Sequence, residues 1–94
     1  MFVVLLKFID RGKGAGALAG HKAWLDEGFA EGRFLLAGSL ASGQGGTVFI
    51  HGLSEEDVER RVAADPFVAQ GVVTAEIVKI TANRTDARLD FLTR

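Results

Sequence analysis

Two histidines, no cysteine and no tyrosine leave this 94-residue chain few groups that can do proton chemistry near neutral pH. Imidazole titrates there without special help, so the histidines are the first candidates. His21 stands in Gly20-His21-Lys22-Ala23-Trp24-Leu25, a stretch with helical spacing. His51 follows a strand-like run and precedes Gly52, which is the setting of a surface residue. Neither forms a His-x-His or His-x-x-x-His pair, and cysteine is absent, so no metal site is expected. Ser39 follows Gly38 near the end of a strand, where its hydroxyl could face a pocket. The surroundings carry no nucleophile-elbow pattern, which leaves a hydrogen bond to substrate as its role. Gly12, Gly14 and Gly16 alternate in a loop, but the spacing is not that of a dinucleotide fingerprint. They read as a mobile connector, flanked by Arg11 and Lys13, which could meet an anionic substrate.

The rest of the chain must position these groups. Hydrophobic residues make up 48% of it and charged residues 24%, the balance of one folded domain. A formal net charge of −1 gives no long-range attraction to nucleic acid or to anionic lipid. The opening run Met1-Phe2-Val3-Val4-Leu5-Leu6 is cut short by Lys7. It has no basic region before it and is too short to cross a bilayer, so no membrane association and a cytoplasmic location are expected.

Phe2 to Ile9 reads as a first strand with both faces largely apolar. Helices can cover one face, and the simplest cover for the other is a second copy of the chain. Ala17 to Glu31 reads as a helix with Leu18, Leu25 and Phe29 on its buried stripe and His21 toward the edge. Gly20 and Gly28 weaken such a helix, which points to close approach of a neighbouring element. Arg33 to Leu40 and Thr47 to Ile50 read as two strands joined by a glycine-rich hairpin. Ser54 caps a second helix whose first turn is acidic. Asp65-Pro66 caps and starts a further turn that Gly71 ends, and Val72 to Ile80 is a fourth strand. The order is βαββαβ, an α+β ferredoxin-like arrangement with an antiparallel sheet and two helices on one face. In the tail, Ala87, Leu89 and Phe91 alternate with Arg88 and Asp90, which predicts a short extra strand.

His21 at the start of the helix, Glu31-Gly32-Arg33-Phe34-Leu35-Leu36-Ala37-Gly38, Ser54-Glu55-Glu56, and Asp65-Pro66-Phe67 with Gly71 recur in this order in a known family. On these motifs the chain resembles the YciI-like, or YCII-related, proteins. The resemblance implies residues 1–82 as the family domain, with 83–94 as a tail. It implies a dimeric α+β barrel of ferredoxin-like subunits and an active site with a His–Asp pair, here His21 and Asp65. Two positions depart from the pattern. Ser39 stands where the family often has proline, and Leu18 where some members carry arginine.

Together these readings lead to a small lyase- or isomerase-type enzyme without a cofactor, acting on a small organic substrate. His21 moves the proton and Asp65 orients it. Ser39, Gly38, Arg33 and Phe67 hold the substrate. A dimeric module that binds a small ligand without turnover remains open on the same residues.

Overall fold

The computed structural model describes residues 1–94. In chain order the main elements are β1 (Phe2–Phe8), α1 (Gly14–Ala30), β2 (Phe34–Ser39), β3 (Gly45–Ile50), α2 (Glu55–Ala63), the short α3 (Pro66–Ala69) and β4 (Val73–Lys79). The four strands form one sheet in the order β2-β3-β1-β4, antiparallel throughout. This is the ferredoxin-like arrangement that the element order predicts. No helix is long and apolar enough to cross a membrane.

Strand periodicity decides where the core sits. Phe2, Val4 and Leu6 of β1 lie beside Ile50, Val48 and Gly46 of β3 and face the helices. Phe2, Val4, Leu6, Val48 and Ile50 form the buried cluster with Phe34, Val72, Val73, Ala17, Trp24, Val58 and Val62. Val3, Leu5, Phe49 and Val78 fall on the opposite face by the same alternation.

The caps follow the sequence. The Ser54 hydroxyl accepts a hydrogen bond from the Asp57 backbone N–H at the start of α2. Asp65 caps α3, and Pro66 takes its first position, where a missing N–H is harmless. Gly32 and Gly71 end α1 and α3 with φ near +71° and +73°, a conformation that side chains other than glycine rarely adopt.

The first helix differs from its expected form. It begins at Gly14, so the connector shrinks to a 3-10 turn at Arg11–Lys13. Its buried face is Ala17, Trp24 and Gly28. Leu18 and Phe29 are 41% and 44% exposed in the single chain. Beside Trp24 this face carries small residues, because the helix lies close to its neighbours. A Cβ on Gly28 would fall 2.2 Å from the Phe34 ring, and one on Gly20 would fall 2.9 Å from Pro66. Alanine favours a helix over glycine by about 1 kcal/mol, yet Gly28→Ala is expected to destabilise the chain by about 1–3 kcal/mol through overpacking. A lower urea midpoint with an unchanged m-value would register it.

The tail also departs from expectation. Ala87–Thr93 forms 3-10 turns, not a strand. Asp86 caps it, and its carboxyl is held below the usual range by the Arg88 side chain and then by the Arg88 backbone N–H. Leu89 and Leu92 pack toward Met1, Leu35, Leu36 and Phe49 around a hollow of about 210 Å³, at one end of the sheet. The alternation of apolar residues fits either form, and local capping by Asp86 decides for the turn.

Candidate active site

The close packing of Gly20 on Pro66 brings α1 against α3. It sets His21 beside Asp65, the residue that starts α3. The His21 Nδ1 lies 2.8 Å from Asp65 Oδ1. An ionised carboxylate only accepts, so with Asp65 in that form Nδ1 is the donor, and a neutral imidazole then offers Nε2 as an acceptor. The same Oδ1 accepts the Phe67 backbone N–H at 3.0 Å. One oxygen therefore both caps α3 and orients the histidine, while Oδ2 is buried without a partner. Asp65 is fully buried, and the His21 side chain is 14% exposed.

Two rings hold the imidazole. Phe67 stacks on it at 4.0 Å between centroids with 6° between planes. Trp24 lies on a nearly parallel plane at 5.9 Å. Trp24 is itself fixed, because its Nε1–H donates to the Arg61 carbonyl at 2.9 Å and its ring packs on Phe34. The imidazole is thus held on its faces by two rings and at Nδ1 by Asp65.

His21 lines a cavity of about 380 Å³ between the helices and the sheet. Leu6, Val48 and Val73 form part of its wall, with Leu25 from α1 and Phe67 from α3. The expected substrate-side residues Gly38, Ser39 and Phe67 all line it. Ser39 pairs with Gly46 on the rung that also carries Leu6, so it faces the helix side of the sheet.

Arg33 does not reach this place. It precedes β2, while Ser39 ends that strand, about 20 Å away along an extended chain. Its guanidinium donates to the Gly52 carbonyl at 2.8 Å and braces the turn after β3. His51 is there too, with Nε2 2.9 Å from the Gly32 carbonyl oxygen. The sequence did not reveal the part played by the hairpin. Gly43, Gly45 and Gly46 line the cavity, as do Phe8 and Thr47. Their glycine content signals a turn, and only the pairing of β1 with β3 brings that turn to the cavity that His21 lines. No group of three or more His, Asp or Glu side chains comes together anywhere in the chain.

The YCII-related domain family matches residues 1–82. The chain belongs to the YCII-related family. The match spans the whole βαββαβ unit and ends before the 3-10 tail. Among solved structures, the chain is similar to the 5-chloro-2-hydroxyhydroquinone dehydrochlorinase of Burkholderia phenoliruptrix AC1100, in complex with 2,5-dihydroxybenzoquinone. That likeness has a TM-score of 0.67 at 19% identity and covers 85% of this chain and 93% of the other. At that identity it bears on the fold, which the two share. No curated protein is similar enough in sequence to count as a relative. The YCII-related unit thus carries an oriented histidine at the wall of a largely apolar cavity.

Proposed function

We propose that this YCII-related protein is a cofactor-independent enzyme of the lyase or isomerase type, with His21 as general base and acid. The observation that carries the reading is the 2.8 Å contact of His21 Nδ1 with the buried Asp65, on a ring that lines the cavity. Asp65 fixes the tautomer and offsets the charge that develops when Nε2 takes a proton. In an elimination, the electron pair of the broken bond moves into the substrate and a leaving group departs with its own pair. In an isomerisation, the histidine returns the proton to another atom. Both need a placed base, and the walls beside it are largely apolar. Gly38 and Ser39 edge the substrate and Phe67 covers it. A volume of about 380 Å³ suits a small ring compound.

The fold neighbour is a dehydrochlorinase solved with a dihydroxyquinone. That supports chlorinated and hydroxylated rings as first probes. The test measures chloride release from 5-chloro-2-hydroxyhydroquinone and binding of 2,5-dihydroxybenzoquinone, in wild type and His21→Ala. Turnover lost with binding kept supports the enzyme. Binding without turnover in the wild type, across a panel of such rings, leaves the ligand-binding module instead.

We also propose that the working form is a homodimer. Val3, Leu5, Phe49 and Val78 share the sheet face away from the helices, and Val78 is 40% exposed in the single chain. A second sheet stacked on that face would close a barrel and remove this apolar surface from water. Light scattering at micromolar concentration is expected to give twice the chain mass of 10.0 kDa. A species at the single-chain mass would contradict the dimer.

A further inference from the structure

We infer that Arg11 is the anion-recognising residue at the mouth of the His21 cavity, and that the ligand is a small organic anion. The inference rests on the proposed use of that cavity and adds a ligand class to it. Among the side chains that line the cavity, none other than His21 can carry charge. Arg11 does not line the cavity itself, but it is exposed and touches two residues that do. Its guanidinium carbon is 4.3 Å from the centroid of the Phe8 ring, over its face. Its Nη2 donates to the Gly43 carbonyl of the hairpin.

This placement suits anion recognition. The aromatic face holds the planar guanidinium flat and removes part of its hydration. The one carbonyl contact uses a single donor of five, which leaves donors for a carboxylate or a ring oxyanion. The nearby acidic residue is engaged elsewhere. Asp10 accepts the Gly12 backbone N–H at 3.1 Å and faces Lys13 at 3.9 Å. Arg33, just before β2, is tied to Gly52 at the end of that strand far from Ser39. A base that removes a proton leaves negative charge on the substrate, and an apolar cavity offers no other cation to meet it. Arg11 and His21 thus act from different sides of the cavity, one on standing or developing charge and one on the proton.

The test is equilibrium binding read by quenching of Trp24, the single tryptophan, whose ring lies 5.9 Å from that of His21. The probes are 2,5-dihydroxybenzoquinone, ionised at neutral pH, and its uncharged 2,5-dimethoxy analogue. Wild type is expected to prefer the anion. Arg11→Gln is expected to weaken the anion by about 10- to 100-fold and leave the neutral analogue unchanged, with Arg11→Lys between. Lys22→Gln, on the solvent side of α1, controls for loss of one positive charge. An arginine that only latches the hairpin would affect both probes alike. That result, or an anion bound by Arg11→Gln as tightly as by wild type, overturns the proposal. Wild type that binds neither probe overturns it as well. The proton-transfer reading falls separately, by unchanged turnover in His21→Ala.

Discussion

Replacing His21 by alanine is expected to lower kcat by about 10²- to 10⁴-fold, the usual worth of a positioned proton-transfer group. KM is expected to move far less, because most of the cavity wall is aliphatic, aromatic or glycine and stays in place. The variant leaves a gap on the face of Phe67, where the imidazole stacks at 4.0 Å. Circular dichroism and a melting curve are therefore measured beside the kinetics, to show that the loss is chemical. Asp65→Asn gives a second reading. An asparagine oxygen can still accept from both His21 and Phe67, so the ring keeps its place. The negative charge is gone, and the amide NH₂ takes the position of the unpartnered Oδ2. The expected loss of turnover is smaller than for His21→Ala, with a cost in stability from the buried, unpaired donors. Normal turnover in His21→Ala would remove the enzyme reading, whatever Asp65→Asn does.

Much of this frame is written in local signals. The change of apolar period from two to about three and a half and back marks the elements. Ser54, Asp65-Pro66, Gly32 and Gly71 mark their ends. The unread features depend on contacts between distant segments. Periodicity weighs large apolar residues, so it points to Leu18 and Phe29 on α1. The helix instead buries Ala17 and Gly28, because Phe34 fills the space that a Cβ would need. Arg33 and Ser39 stand at opposite ends of one short strand, Arg33 just before it and Ser39 its last residue, and nothing local says which end faces the cavity. Pairing with β3 places Ser39 there and Arg33 beside Gly52. The shared use of Asp65 Oδ1 by a cap and by the histidine was legible only in part. An aspartate before proline announces the cap, while the histidine comes from forty-four positions away.

The hairpin is the least legible part of the site and gives the largest expected effect on stability. A Cβ on Gly45 would sit 1.8 Å from the Leu6 carbonyl oxygen, which is backbone and has no rotamer to change. Gly45 pairs with Lys7 on the β1–β3 ladder, so relief requires the two central strands to part at that rung. Parting them threatens the bond from the Phe8 N–H to the Gln44 carbonyl at 3.0 Å. Gly45→Ala is expected to cost about 3 kcal/mol, at the upper end of ordinary overpacking. For a chain of this length that lowers the melting midpoint by about 12 °C or more. Gly46→Ala is expected to be milder, since its Cβ would meet the Gly38 carbonyl oxygen at 2.7 Å on the edge strand, which has one neighbour to follow it. Gly38→Ala meets nothing within 4 Å and is expected to melt near wild type. Differential scanning calorimetry on the three variants ranks them, and an order other than 45, 46, 38 would contradict the argument. Leu6, Gly43 and Gly46 line the cavity around the strained rung, and Arg11 is bonded to Gly43. Whatever fraction of Gly45→Ala stays folded should therefore bind ring ligands more weakly, although His21 and Asp65 are untouched. A folded Gly45→Ala with wild-type affinity would show that the hairpin is only a connection between strands.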